Sequence, residues 1–310
     1  MAESLEFIVE TMRGRILRGL QTKTLLVGDR LPSARMLARE FAVDFRVILS
    51  AYRVLSSEGL VDLRARGGVY VSANGVGSPG VPPLPEAWIV DVLTQSLARE
   101  TPAAELYEWI RRCTETLRLR ALVVGSTEDQ VYGLCRELGD DFGLEAEGVT
   151  ADRLHAAPRE SSARRADLFV TTKAHVAWMK DFAASFGKPV IVIDVRPDLL
   201  TGEWALLLRQ PVYVIVATED FGQMLRDFFR EVPGVENLQV LVFGRDDLAT
   251  IPADAPTYVT QRVRASLGAE RLAGRILPAA RTIRTESARE LFAFIVRSNI
   301  AALSGRARQA

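Results

Sequence analysis

The sequence predicts an α/β protein in two parts: an N-terminal winged helix-turn-helix and a C-terminal region of two α/β lobes. Three observations predict it. The first 75 residues hold three short helical patterns followed by a hairpin with a glycine tip. The stretch Asn74 to Pro85 (NGVGSPGVPPLP) is rich in Gly and Pro and reads as a linker, semi-rigid where the prolines fall. Beyond residue 119, short apolar runs alternate with helical patterns, and the series restarts after about 90 residues. The expected boundaries are therefore 1–75, a connecting segment 76–118, and 119–310.

Bulk properties narrow the field before any motif is read. The 310 residues are 48% hydrophobic and 25% charged, ordinary values for a globular chain. Lys plus Arg and Asp plus Glu both number 39, so charge placement says more than net charge. Residues 1–75 carry eleven Lys and Arg against eight Asp and Glu, and ten of those cations are Arg, the side chain that fits phosphate and guanine edges. Two cysteines, Cys113 and Cys135, rule out a disulfide framework. The acidic start Met1-Ala2-Glu3-Ser4-Leu5-Glu6 lacks the apolar core of a signal peptide. No run reaches the 18 or so apolar residues that span a bilayer, so a cytoplasmic protein without membrane contact is expected.

The N-terminal elements follow from spacing. Leu5, Ile8, Val9, Met12, Ile16 and Leu20 share one helical face. Gly28 and Pro32 make the next segment a turn, and Ser33 caps a helix from Ala34 to Phe41. Asp44 caps a second helix from Phe45 to Ser57, which Glu58-Gly59 closes. Two short helices joined tightly, the second capped, form a helix-turn-helix. Leu60 to Leu63 and Val69 to Val71 then pair around Arg64-Ala65-Arg66-Gly67-Gly68 as a wing. This arrangement suits DNA. A helix N-terminus fits the major groove, cations on turns neutralise phosphates, and a glycine tip lets backbone approach closely.

The run Gly28-Asp29-Arg30-Leu31-Pro32-Ser33-Ala34-Arg35-x-Leu37-Ala38 resembles the signature of the GntR family of bacterial regulators. Leu55-x-x-Glu58-Gly59-Leu60-Val61 and the closing Val69-Tyr70-Val71 extend the resemblance over about 70 residues. It implies a homodimer on a pseudo-palindromic double-stranded DNA operator, with an effector domain behind the reader. It also implies backbone contacts from Ser33 and Arg35, with Arg30 beside them. The chain departs from the family in the second helix, where Asp44-Phe45-Arg46-Val47-Ile48 replaces the usual Ser-Arg-x-Thr-Val. At the wing tip Arg66-Gly67-Gly68 replaces Gly-Arg-Gly. Arg46, Arg64 and Arg66 join Gly67 and Gly68 as the remaining DNA-contact candidates. The apolar recognition helix leaves a second reading open: a winged helix that works through protein contacts, with DNA binding weakened or lost.

Two helical patterns connect the parts, Glu86 to Glu100 and, capped at Thr101-Pro102, Ala103 to about Leu117. They either pair with their copies in a second subunit or pack on their own C-terminal domain. The repeat beyond them resembles, in architecture only, the two-lobed periplasmic-binding-protein-like effector domains. Ligands of open α/β sheets sit beyond the carboxyl ends of strands. Ser126, Thr127, Thr172, Lys173, Asp194, Thr218 and Arg262 occupy such ends. Hydroxyls and free N–H groups at helix starts suit a small polar or anionic effector held between the lobes. The same hydroxyls also read as plain helix caps. No nucleophile elbow, Walker loop or dinucleotide fingerprint is present, and His155 and His175 are the only histidines, so no catalytic residue, cofactor or metal is expected.

Overall fold

The computed structural model describes residues 5–21, 24–65, 67–72, 86–156, 160–195, 203–267, 272, 274–279 and 281–307. The chain divides into two compact units built from non-contiguous segments: 1–84 with 197–280, and 85–196 with 281–310.

The first unit opens with α1 (Leu5–Gln21), α2 (Ala34–Glu40) and α3 (Phe45–Ser57). Each boundary has a local cause. The Ser33 hydroxyl accepts from the N–H of Met36, and Asp44 accepts from that of Arg46, so both caps act as their residue types predict. Gly59, at φ 76°, ends α3, and the N–H of Leu60 donates to Leu55, which closes a Schellman turn. β1 (Val61–Arg64) and β2 (Gly68–Val71) pair antiparallel as the wing. Arg30 bridges to Tyr70, and Leu31 donates to Val69, so the turn before α2 lies against the wing as a third short strand.

The same unit holds a parallel sheet. Its strands are β7 (Val212–Val216), β8 (Leu238–Val242), β9 (Pro256–Val259) and β10 (Arg275–Ile276), in the order β8-β7-β9-β10. α10 (Glu203–Leu207) precedes β7, α11 (Glu219–Phe229) follows it, and α12 (Gln261–Leu267) follows β9. Leu206 of α10 is buried in the same apolar cluster as Ile8, Phe41, Ile48, Tyr52 and Leu55. The core of the winged helix is thus completed by a side chain that comes far later in the chain.

Charges seal that contact. Arg15 of α1 is buried, with its guanidinium 2.5 Å from Glu40 of α2, bonded also to Glu203 of α10, and 4.6 Å above the Phe41 ring. Arg18 reaches Glu203 at 2.7 Å, and Arg275 of β10 pairs with Glu40. Beside them Arg209 donates to the carbonyl of Phe41 at 3.1 Å, and Gln210 donates to that of Arg39. The end of α2 is therefore capped from the sheet side, by a cation where the helix dipole is negative.

In the second unit α4 (Glu86–Leu97) and α5 (Ala103–Glu115) lead into a sheet of β3 (Arg120–Gly125), β4 (Glu145–Thr150), β5 (Leu168–Thr172) and β6 (Val190–Ile193). The order is β4-β3-β5-β6, all parallel. β3 and β5 are buried on both faces, as strands between two helical layers must be. Ala121 and Val123 face α6 (Glu128–Phe142) and α13 (Thr285–Ala307). Leu122 and Val124 face α7 (Ala151–Ala156), α8 (Glu160–Arg165) and α9 (Val176–Ser185). α5 packs on α13, where the side chain of Asn299 accepts from the N–H of Leu117 at 2.7 Å. Cys135 of α6 is half-buried, and burial pushes its thiol up to about 11.

Both sheets place their first strand second and run outward through the third and fourth. The restart read from the sequence is therefore a repeated strand order. Thr127 and Thr218 cap the helices after the first strand of each sheet. Expectation and structure part in four places. α7, α8, α10 and β10 are too short for a periodicity to register. Read from the sequence, Arg262 to Ala273 is a helical pattern; it is helix over Gln261–Leu267, and residues 268–271 and 273 lie outside the described residues. Thr282-Ile283-Arg284 reads as a short strand and is a single bridge from Ile283 to Val195. Ser287 to Ile300 reads as a helix, and the helix runs from Thr285 to Ala307.

The ion network makes stability depend on acid. Burial pushes Glu203 upward, but Arg15 and Arg18 outweigh it and hold it below the usual carboxylate value of 4.5. The unfolded chain then takes up this proton first, so the contribution is intact above about pH 4.5 and is lost as pH falls through the lower folded value. Glu203→Gln is expected to cost about 2–3 kcal/mol at neutral pH, less than a fully dry pair because Glu203 keeps some water. It is also expected to flatten the loss of stability below pH 4.5; urea unfolding at pH 7 and pH 4 measures both.

Candidate nucleic-acid interface and polar strand ends

The first candidate site is built on the winged helix. Ser33 and Arg35 start α2, and both are exposed. Arg46 is exposed in the first turn of α3, two residues after the Asp44 cap. These two helix starts are fixed to each other. The buried Tyr52 of α3 donates its hydroxyl to the carbonyl of Pro32 at 2.7 Å, and burial raises its pKa well above that of a free phenol. The turn that presents Ser33 and Arg35 is thus bolted to the recognition helix.

At the wing, Gly68 has φ 109°, a conformation that disfavours any other residue. A Cβ there would meet the guanidinium of Arg30 at 3.1 Å, so glycine also makes room for that side chain. Arg64 lies over the ring of Tyr70 at 4.1 Å, and Tyr70 donates its hydroxyl to Gly67. The Arg64 charge is therefore held along the hairpin, not left free at its tip. Arg66 lies outside the described residues. Arg30, Arg35, Arg46, Arg53 and Arg64 are exposed, and among the described residues none is in an ion pair with a carboxylate. Unpaired exposed arginines at two helix starts and a wing form a surface suited to phosphates.

The second set of predicted residues falls on the strand ends, divided between the two units. In the second unit, the Ser126 hydroxyl lies 2.9 Å from Nε2 of His175. Thr127 accepts from the N–H of Gln130, so its hydroxyl is occupied as a cap. Thr172 is buried at the end of β5. Lys173 reaches Asp194 at 2.8 Å, and Arg284 reaches the same oxygen at 3.3 Å. Hydrogen bonding from Lys173, joined by Arg284, holds Asp194 below the usual carboxylate range. Burial lowers the pKa of His175. Arg284 and His175 are additions to the predicted set. His175 follows β5 closely and could have been found by its position, but Arg284 comes from a distant segment with no local signal.

In the first unit, Thr218 accepts from the N–H of Phe221 and is likewise a cap. Arg262 lies in the first turn of α12, after β9. A separate cavity of about 260 Å³ opens at the amino ends of β3 and β4. Its charges are used internally, as Arg120–Glu145 at 3.3 Å and Arg165–Glu147 at 3.7 Å. Among the described residues no group of His, Cys, Asp and Glu could hold a metal ion, and no helix is long and apolar enough to cross a membrane.

Residues 8–71 match the family described as bacterial regulatory proteins, gntR family. This segment is a GntR-family winged helix-turn-helix. An HTH-type transcriptional regulator of Mycobacterium tuberculosis is 32% identical over 65 residues, covering 21% of this chain and 54% of the relative. The chain thus spans about half the length of the curated relative it matches. A transcriptional regulator from Oenococcus oeni has 19% identity and a TM-score of 0.24, covering 32% of this chain and 78% of its own. A GntR family transcriptional regulator from Listeria monocytogenes has 22% identity and a TM-score of 0.23, covering 34% and 93%.

The Tyr52 bond can be tested without altering the exposed arginines. Tyr52→Phe leaves the Pro32 carbonyl without that donor and is expected to cost about 1–2 kcal/mol by urea denaturation, with the fold retained by circular dichroism.

Proposed function

We propose that this protein is a DNA-binding transcription regulator of GntR type that acts as a homodimer and responds to a small polar or anionic effector. One observation carries the reading. The GntR-type segment holds exposed arginines, free of carboxylates among the described residues, at the three places where such a fold meets DNA. Arg30, Ser33 and Arg35 serve as backbone contacts. Arg46 enters the groove, and Gly67 and Gly68 bring the wing backbone close to a phosphate. Arg64 and Arg66 add charge at the wing.

A second copy is expected on the α4–α5 surface of the second unit. Trp88, Val90 and Leu97 of α4 and Tyr107, Trp109 and Ile110 of α5 are exposed large apolar side chains on two packed helices. Surfaces of that kind mark interaction sites. A homodimer covers them and supplies two readers for a two-fold operator. The effector site is assigned to the polar strand ends. Lys173 and Arg284 both reach Asp194 there, and Arg284 also pairs with Glu286, so a carboxylate or phosphate group on the effector would compete with these acids for the two cations. Ser126, Thr127 and Thr172 supply polar groups in that unit; Thr218 and Arg262 are strand-end residues of the other unit and are assigned there separately. Only an effector with unequal affinity for two states of the protein would alter DNA binding.

Fluorescence anisotropy against promoter duplexes tests the reading. Affinity is expected at ~50 mM salt and should fall steeply with added salt. Arg35→Ala should weaken binding about five- to tenfold and lower the salt slope by about one, with stability unchanged. Absence of binding at ~50 mM salt would refute DNA recognition and leave the protein-contact reading. For the dimer, Trp109→Asp combined with Ile110→Asp is expected to give a monomer by sedimentation equilibrium. A dimer that survives both changes lies elsewhere.

A further inference from the structure

The recognition helix begins with a residue that the fold does not need. Phe45 is the first residue of α3 and is 45% exposed. The buried side chains of that helix are Ile48, Ala51, Tyr52 and Leu55, and Phe45 belongs to no described apolar cluster. It has no aromatic partner among the described residues either. Its backbone is nonetheless firmly placed. Asp44 Oδ1 lies 2.7 Å from the N–H of Arg46, and Tyr52 ties the same helix to Pro32. Leu49, one turn on, is half-buried and shares its side of the helix.

An aromatic ring held at the start of a major-groove helix has few partners there. It neither donates to nor accepts from the polar edges of guanine, cytosine or adenine. The apolar feature of the groove floor is the 5-methyl group of thymine. The surroundings favour DNA over an apolar protein surface, since exposed Arg46 is the next residue and exposed Arg30, Arg35 and Arg53 belong to the same winged helix.

We infer that Phe45 is a specificity-determining residue that selects thymine, through its 5-methyl group, at one position in each half-site. The inference rests on the DNA-binding reading above. Arg46 beside it supplies the charge that the ring lacks, so affinity and base choice are divided between neighbouring residues. The usual arginine of the family at this place would favour guanine, so this chain is expected to read a different base there.

The test uses the full-length protein and a random duplex pool. Sequences bound at ~50 mM salt are selected, and each conserved thymine is then replaced by deoxyuridine, which removes the methyl and keeps every hydrogen-bonding group. Replacing that thymine in one half-site should weaken binding about three- to fivefold, the loss expected for one buried methyl. Phe45→Ala should bind the thymine and uracil duplexes equally, with an unchanged salt slope and melting temperature. Phe45→Arg should shift the selected base at that position toward guanine. A sequence-selective wild-type protein indifferent to uracil everywhere overturns this inference alone. No bound duplex at all overturns the DNA-binding reading and this inference with it.

Discussion

Burying a guanidinium is costly unless carboxylates face it closely, because they must stand in for most of its lost hydration. At Arg15 those carboxylates come from distant parts of the chain, Glu40 in α2 and Glu203 in α10. Satisfying Arg15 therefore fixes three helices at once. Arg275 brings β10 to the other oxygen of Glu40, and Arg18 closes the set on Glu203. Leu206, one turn of chain from Glu203, fills the apolar core of the winged helix. Sheet and winged helix thus share both a core and a charge network, and neither can slide on the other without exposing Leu206 or stranding Arg15.

This arrangement gives α2 a double attachment. Its first turn carries Ser33 and Arg35, and its end carries Glu40 and the carbonyls of Arg39 and Phe41. Seven residues of helix span only about 10 Å. A shift of α10 or β10 would reach the turn that carries Ser33 and Arg35 through one short rigid element, with no flexible tether to absorb it. The bond from Tyr52 to Pro32 would carry the same shift to α3. Coupling between sites needs a physical path of this kind, with two arrangements that a ligand can distinguish.

Much of the winged helix was legible because its signals are local. Ser33, Asp44 and Gly59 act within a few residues of themselves, and each does what its chemistry predicts. The two parallel sheets were legible as alternating patterns, and the repeat appeared as a restart. What local pattern cannot carry is who meets whom. The segment Glu203–Leu207 is five residues with no periodicity to mark it, yet it supplies both Glu203 and Leu206. At the strand ends the same limit applies. Lys173 and Asp194 were readable from their positions after β5 and β6, but Arg284 reaches Asp194 from a segment beyond the other sheet. Arg64 shows the converse. Its place in the wing suggests a free charge, and only the structure shows it lying on Tyr70.

Stability alone is a poor reason for the Arg15 network. Three cations face two carboxylates, and among the described residues one nitrogen of Arg15 and the Nε of Arg275 are buried without a hydrogen-bond partner. Replacing such a set with well-packed aliphatic side chains is often neutral or stabilising. An aliphatic contact, however, tolerates rotation and slippage, whereas each N–H of a guanidinium must find an acceptor in a fixed plane. The network therefore specifies one register between α1, α2 and α10 at some cost in stability. Register is what a DNA reader needs from its support, since base readout requires side chains placed to within a fraction of a hydrogen-bond length. The same residue type is used oppositely at the two ends of this unit. Arg15, Arg18 and Arg275 facing the sheet are held by carboxylates, while the exposed Arg30, Arg35 and Arg46 have no carboxylate partner among the described residues.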